Sequence, residues 1–272
     1  MDKKIFYIMA PGKSINDISD DEWKYLEDKN TISFSQFPFA NKKTMYHFSY
    51  EDHWSDTRHL NHIKRNGFMD THMLLGLHDT INYAKELGFK NISPIIKGPG
   101  MGFNGKPWSE SDKEPPCKFS ECRAYRFRHP LFRFRGSLTA VINAALILKA
   151  NEIRLVGVDL DSQYYFFDEQ RDRWIKEDND KLVFDEILAN QTHSIEKRKR
   201  VPTTNGISYN PEIENDTNIP YLLSNNIILR GVLDTIIWMD KELRDEGLDG
   251  IYTTNKKSNL YGKLQYKEIM DE

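Results

Sequence analysis

The chain reads as an α/β protein: a Rossmann-like, mostly parallel sheet flanked by helices, with a loop-rich lid region. Three observations predict it. An apolar run from Lys4 to Met9 stops at Pro11-Gly12, the mark of a buried strand followed by a tight turn. A nearly all-aliphatic stretch from Ser137 to Lys149 leads into a second continuous apolar run, Glu152 to Val158, as a helix feeding a parallel strand does. Between them, Met73 to Leu87 places apolar residues at 73, 74, 77, 81, 84 and 87 before Gly88, close to a helical period closed by a glycine cap.

The remaining elements follow in order. Ser19 with Glu22 three residues later, ahead of Trp23 and Leu26, forms a capping-box signature for a helix through about Asp28. Strand-like runs follow at Thr31 to Phe34 and Thr44 to Tyr50, and another at Asn91 to Ile96. From Lys97 to about Pro116 the chain is rich in Gly, Pro and charge, which predicts a loop over a site rather than a core element. Residues 168 to 222 are polar and irregular and include the basic run Lys197 to Arg200. Helical spacing returns from Leu222 or Ser224 to Leu243, and Ile251-Tyr252 starts a last short strand. One domain spans 1–272, with 160–222 as a lid or acceptor-side insertion.

Composition narrows the function classes. With 38 basic against 41 acidic residues and a net charge of −3, the chain has no global attraction for polyanions, which argues against a nucleic-acid partner. No apolar run approaches the roughly 20 residues of a membrane span, and Ile5 to Met9 is too short for a signal peptide; the expected compartment is the cytoplasm. Cys117 and Cys122 cannot complete a zinc site by themselves and read as free surface thiols. His59 and His62 beside Asp56 lack a matching second cluster, so no metal is expected.

Four features could carry chemistry. Gly12-Lys13-Ser14 follows the first strand, where a Gly-containing turn brings backbone N–H groups toward an anion such as a nucleotide phosphate; an ATPase P-loop is rejected because Tyr7 stands where that motif needs Gly. Asp159 and Asp161 lie just past a predicted buried strand, with Tyr165 close behind, at the rim of the crevice where carboxylates and phenols meet a ribose, phosphate or sugar. His193 sits away from any apolar period and can take a proton from an attacking hydroxyl. Arg123 to Arg135 interleaves cations with rings; Arg133 and Arg135 suit a carboxylate or phosphate, while the alternation also fits a half-buried strand.

Together these pieces resemble the bacterial sialyltransferase family that adds sialic acid to lipooligosaccharide from CMP-sialic acid. The family's Gly-x-Gly-Pro-Ser-Leu loop is matched by Ala10 to Ile15, and its Asn-Gln-Phe-x-Phe stretch by Ser35-Gln36-Phe37-Pro38-Phe39. A helix opening on Ser and a strand ending Gly-Ile-Asp-Phe resemble Ser137 through Gly157-Val158-Asp159-Leu160, and Tyr-x-Phe-Asp resembles Tyr165 to Asp168. The family's His-Ser pair matches His193-Ser194, and its terminal segment resembles Ser258-Asn259-Leu260. The resemblance implies a donor site at Gly12, Ser14, Ser35, Gln36, Ser137 and Gly157, with Lys13 beside them. It also implies Tyr165 on the departing phosphate, His193 as general base, a metal-independent reaction without a cofactor, and a glycan or lipid-linked glycan acceptor. The basic run at 197–200 suits an anionic membrane face; homo-oligomers stay open.

The departures bear on donor and mechanism. Pro11 and Ser35 replace two family asparagines, and Asp161 stands where the family has a second phosphate-binding Tyr. A carboxylate there suggests a retaining route, with Asp161 or Asp159 attacking the anomeric carbon, as in a CMP-Kdo transferase. Two further readings compete: a pterin-type diphosphokinase needing ATP and magnesium, and a non-enzymatic polysaccharide- or RNA-binding accessory using the Arg-rich stretches.

Overall fold

The computed structural model describes residues 3–50, 53–96, 98, 103, 108, 109, 111–134, 136–160, 165–175, 180–187, 201–203, 206–208 and 230–271. The chain opens with β1 (Ile5–Met9), α1 (Asp20–Leu26), β2 (Asn30–Phe34) and β3 (Tyr46–Ser49). It continues through α2 (His53–Arg65), β4 (His72–Leu75), α3 (His78–Glu86) and β5 (Ile92–Pro94). The second half holds α4 (Phe119–Cys122), α5 (Ser137–Ile147), β6 (Glu152–Val156), α6 (Phe166–Glu169) and α7 (Arg171–Trp174). A separate two-stranded antiparallel pair, β7 (Val201–Thr203) and β8 (Gly206–Ser208), precedes α8 (Val232–Asp245), β9 (Gly250–Thr253) and β10 (Gln265–Tyr266).

Eight strands form one sheet in the order β10-β9-β6-β1-β2-β3-β4-β5, and every neighbouring pair is parallel. The chain runs outward from β1 to β5, then returns to lay β6 on the other side of β1. That reversal puts a topological switch point between the carboxyl ends of β1 and β6, where α/β sheets open a crevice for ligands.

Strand alternation explains why both faces are covered. Phe6 and Ile8 of β1 face a core shared with Ala140, Ala144 and Met239 of α5 and α8. Tyr7 and Met9 face a second core with Trp23, Phe37 and Phe166, and Met73 and Leu75 of β4 pack with Leu60 and Ile63 of α2 in a third. A strand buried on both sides needs no polar alternation, hence its continuous apolar run. At Ser19 the capping box is present, the Ser19 side chain accepting from the Glu22 N–H and Glu22 from the Ser19 N–H, a cap that contributes about 1 kcal/mol.

β6 breaks the apolar rule and shows how. Glu152 and Arg154 are both fully buried, and the Glu152 carboxylate accepts from Arg154 Nε at 2.7 Å, Lys267 Nζ at 2.7 Å and Lys3 Nζ at 2.6 Å. Arg154 Nη1 donates to the carbonyls of Glu268 and Ile269 at 3.0 and 3.1 Å, and Tyr7 Oη donates to Ile269 at 3.1 Å. The buried charges thus tie the C-terminal segment across the sheet.

Several expectations are corrected. Met73 to Leu87 is not one helix: β4 ends at Leu75 and α3 begins at His78. Gly76 stands between them, where a Cβ would sit 2.5 Å from the Tyr50 ring. The Lys97 to Pro116 segment is not simply a loop over a site, since Phe103 and Trp108 are buried in an aromatic cluster with Phe119, Phe132, Phe134 and Trp238. Arg123 to Phe134 is not a strand; α4 precedes irregular chain with an isolated bridge between Ile96 and Pro130. Its neck is held by Asn143 of α5, which accepts from the Ala124 and Phe132 N–H groups at 2.9 and 2.8 Å and donates to the Ala124 carbonyl at 2.8 Å. The last long helix begins at Val232, after Gly231; residues 221–229 lie outside the described ones. Among the described residues no helix is long and apolar enough to cross a membrane.

Candidate active site

The switch point is built by two glycines in contact. The Gly12 N–H donates to the Gly157 carbonyl at 2.9 Å, and the Ala10 N–H to the Val156 carbonyl at 2.8 Å, so the β1–β6 ladder continues beyond the strands. A Cβ on Gly12 would lie 2.3 Å from the Gly157 oxygen and 2.7 Å from Asp159 Oδ2. Gly157 has φ +71°, and a Cβ there would lie 2.2 Å from the Ala10 oxygen. Neither position tolerates a side chain.

Asp159 closes this junction. Its carboxylate accepts from the Ser14 N–H at 2.9 Å, from the Ser14 hydroxyl, and from Asn255 Nδ2 at 2.8 Å. Its carbonyl accepts from the Asn259 N–H at 2.9 Å and the Ser258 hydroxyl at 3.0 Å. The side chain is 7% exposed. One residue therefore joins the turn after β1, the turn after β6 and the loop after β9.

Further groups converge on the same edge. Tyr165 forms an antiparallel bridge with Gly12, and the Phe166 N–H donates to the Pro11 carbonyl at 3.0 Å. Lys13 is exposed at the head of a 3₁₀ turn, Lys13–Asp17. Ser35, directly after β2, has φ +53°, and Leu160, directly after Asp159, has φ +57°; left-handed non-glycine residues of this kind cluster at functional sites.

The amino end of α5 faces the crevice. The carboxyl end of α5 adjoins the start of β1, where Lys4 Nζ donates to the Leu148 carbonyl at 3.0 Å and the Asn151 N–H to the Lys4 carbonyl at 2.8 Å. An eleven-residue helix spans about 16 Å, the length of a five-residue strand at about 3.3 Å per residue. Ser137 thus lies at the carboxyl edge of the sheet. Its N-cap is Gly136, with φ +144°, no side-chain cap and no acidic residue in the first turn, so the positive end of the helix dipole is not offset by an anion of that turn.

The structure brings together Gly12, Ser14, Gly157, Asp159 and Tyr165, with Lys13 in the same turn; Ser137 lies toward the same edge of the sheet, and Ser35 just past the end of the next strand. Gln36 turns away: it is buried and its Oε1 contacts His59 Nε2 at 3.2 Å. Arg133 is buried with its guanidinium 5.6 Å from the Tyr50 ring, beside β3, two strands from β1. His193, Asp161 and Arg135 lie outside the described residues, as does the basic run at 197–200. Sequence reasoning missed Asn255, for which the only signal was a polar Thr253-Thr254-Asn255 end to an apolar strand. It also missed a buried polar layer in which Ser33 Oγ meets Thr44 Oγ1 at 2.8 Å and His47 Nδ1 at 2.9 Å. Burial, and then the neighbouring His59, hold the His47 imidazole well below its usual pKa. Among the described residues no group of three or more metal-ligating side chains occurs.

No protein-family model matches the chain, and no curated protein matches it. Among solved structures, a variant of the sialyltransferase Cst-II in complex with CMP is 16% identical, covering 99% of this chain and 88% of that one, with a TM-score of 0.49. The sialyltransferase CstII from Campylobacter jejuni in complex with the substrate analogue CMP-3FNeuAc is 15% identical, covering 100% of this chain and 89% of that one, with a TM-score of 0.45.

Proposed function

We propose that the chain is a glycosyltransferase that moves an acidic sugar, sialic acid or a Kdo-like sugar, from a CMP-sugar donor to a glycan acceptor of a surface polysaccharide. The observation that carries this reading is the switch-point crevice itself. Of the residues whose order resembles the donor loops of CMP-dependent transferases, Gly12 to Ser14, Gly157 to Asp159 and Tyr165 meet there from three separate stretches of chain, and Ser137 is assigned to the same edge of the sheet.

The donor chemistry follows from charge. A CMP leaving group gains negative charge on its phosphate as the bond to the anomeric carbon breaks, so fixed positive dipoles and donors lower the barrier. The first turn of α5, Lys13 and the Tyr165 phenol supply these without a metal. His193 is assigned as the general base that takes the acceptor hydroxyl's proton, giving a single displacement with inversion. Arg135 is assigned to the acidic group of a sugar; Arg133, buried against Tyr50, is not. A retaining route through Asp159 is disfavoured, because both of its carboxylate oxygens already accept hydrogen bonds from Ser14 and Asn255.

The test is CMP release from CMP-sialic acid and from CMP-Kdo, with and without acceptor glycans, alongside thermal shifts with CMP, UDP and ATP. Stabilisation by CMP and turnover of one CMP-sugar, abolished in His193→Ala, is the expected result. Stabilisation by ATP or UDP alone would remove the proposal. Lys13→Gln separates roles within the crevice: weaker CMP binding at unchanged stability is expected, and unchanged CMP affinity would take Lys13 out of the donor site.

A further inference from the structure

The stretch around the loop after β9 runs against the charge of the chain. From Gly250 to Lys267 it carries four lysines and no Asp or Glu, in a protein whose net charge is −3. Lys267 turns inward to the buried Glu152 carboxylate at 2.7 Å, while Lys256, Lys257 and Lys263 are exposed. Asp17 offsets Lys257, with which it pairs at 3.1 Å. Lys256 Nζ stands over the Tyr266 ring, 4.6 Å from its centroid, and Tyr266 meets Tyr261 edge to face at 5.8 Å. Tyr261 is 48% exposed. One exposed ring by itself needs no explanation; two rings in contact, flanked by cations in a stretch without an acid, make an aromatic face with a positive rim.

This surface is tied to the floor of the crevice. The Ser258 hydroxyl donates to the Val158 and Asp159 carbonyls at 2.8 and 3.0 Å, and Asn259 Nδ2 to the Leu160 carbonyl at 2.8 Å. Leu260 and Leu264 are buried in the main core. Between them the Tyr261 N–H donates to the Ser258 carbonyl at 2.9 Å, and Gly262, with φ +79°, turns the chain back so that Tyr261 bridges Leu264. Tyr266 is in register with Thr253 at the carboxyl end of β9, and its backbone lies two strand spacings, about 10 Å, from β6. A ring fixed in this way before binding loses little freedom when a ligand arrives. Sugar rings present apolar C–H faces that lie on aromatic rings, and an acidic sugar adds a carboxylate that the lysines attract. A single turn with one exposed ring offers too little apolar area to enter a bilayer.

We propose that Tyr261, with Lys256 and Lys263, forms a subsite for an anionic saccharide, the acidic end of the acceptor glycan. Tyr261 carries a sugar ring, and the two lysines favour an acidic sugar over a neutral one. The assignment to the acceptor rests on the transferase reading; the binding of an acidic saccharide does not.

The experiment titrates the full chain, without donor, with 3′-sialyllactose, a Kdo disaccharide and lactose, followed by ligand-observed NMR. Wild type should bind one of the acidic probes at least about fivefold tighter than lactose. Tyr261→Ala should weaken that probe at least about fivefold, and Tyr261→Phe, which keeps the ring, should stay within about twofold of wild type. Lys256→Gln with Lys263→Gln should erase the preference over lactose. An unfolding midpoint equal to that of wild type shows that each variant is folded. Where a CMP-sugar is turned over, Tyr261→Ala should also raise the acceptor KM. Binding of an acidic probe by a chain that turns over no CMP-sugar would sink the transferase reading and leave the saccharide site standing. Binding of neither acidic probe, equal affinity for lactose, wild-type affinity in Tyr261→Ala, or binding to phosphatidylserine vesicles in place of the saccharides would each overturn the proposal.

Discussion

Replacing Asp159 by Ala removes the acceptor of three hydrogen bonds, from the Ser14 N–H, the Ser14 hydroxyl and Asn255 Nδ2. Hydrogen bonds to a charged acceptor contribute about 1.5–3 kcal/mol each, so three would sum to about 4.5–9 kcal/mol if none were replaced. The Ser14 hydroxyl can rotate to another acceptor and water can enter the vacated polar space, which brings the expected loss to about 3–5 kcal/mol. Asp159→Asn keeps one acceptor oxygen but turns an amide donor toward donors, and should lose about 1–3 kcal/mol. The assay is denaturant unfolding at pH 7 followed by tryptophan fluorescence, read as a midpoint shift at constant slope. A catalytic nucleophile that carried no structural duty would behave differently, losing turnover at unchanged stability. An Asp159→Ala variant within about 0.5 kcal/mol of wild type, the range of ordinary surface substitutions, would refute the clamp.

Three further outcomes follow from the same geometry. Burial alone would raise the Glu152 pKa, but hydrogen bonds from Lys267, Lys3 and Arg154 outweigh it and lower the value from 4.5 to about 2. The stability this carries is present above the unfolded value and lost as pH falls from about 4.5 toward 2, about 3 kcal/mol at ~1.4 kcal/mol per tenfold; Glu152→Gln should flatten that limb of a stability–pH curve, and parallel curves would count against it. Gly157→Ala, with a Cβ 2.2 Å from the Ala10 oxygen at a left-handed φ, should cost about 2–4 kcal/mol; an unchanged unfolding midpoint contradicts the close approach. Asn143→Leu leaves two buried N–H groups and one carbonyl unpaired and should cost about 3–5 kcal/mol; hydrogen exchange should show the Ala124 and Phe132 amides losing protection, and retained protection means that the neck is held by something else.

The sheet was legible where burial on both faces leaves a continuous apolar run, as in Ile5 to Met9 and in the Ser137 helix that feeds β6. It was misread where two elements share one register. Met73, Leu74 and Leu77 fit a helical period, yet Met73 and Leu74 point to opposite faces of a strand, one held in the sheet by pairing with β3 and β5, partners that lie outside the periodic stretch itself. Phe103 and Trp108 were hidden by the glycines and prolines around them, because local composition reports the backbone and not where a ring finds partners. In the crevice, Gly12, Ser14 and Asp159 were legible as residue types at strand ends. Their relation was not, since the Ser14 to Asp159 bond spans 145 positions of chain. Nor could spacing show that Gln36 faces inward to His59.

That bond changes what the opening turn can do. A turn of this kind is expected to present its N–H groups to an anion, and it does, but the anion belongs to the chain. The Gly12 N–H is bonded to Gly157, the Ile15 N–H to the Gly12 carbonyl, and the Ser14 N–H and hydroxyl to Asp159. A donor phosphate arriving at this edge would therefore meet a carboxylate already seated on Ser14, and the two negative charges repel unless they stand apart. Among the described residues, the first turn of α5, with no side-chain cap, and the exposed residue Lys13 add positive character to this edge. In the proposed transferase the phosphate accordingly belongs toward Ser137 and Tyr165, while Gly12, Gly157 and Asp159 hold the floor of the crevice in register.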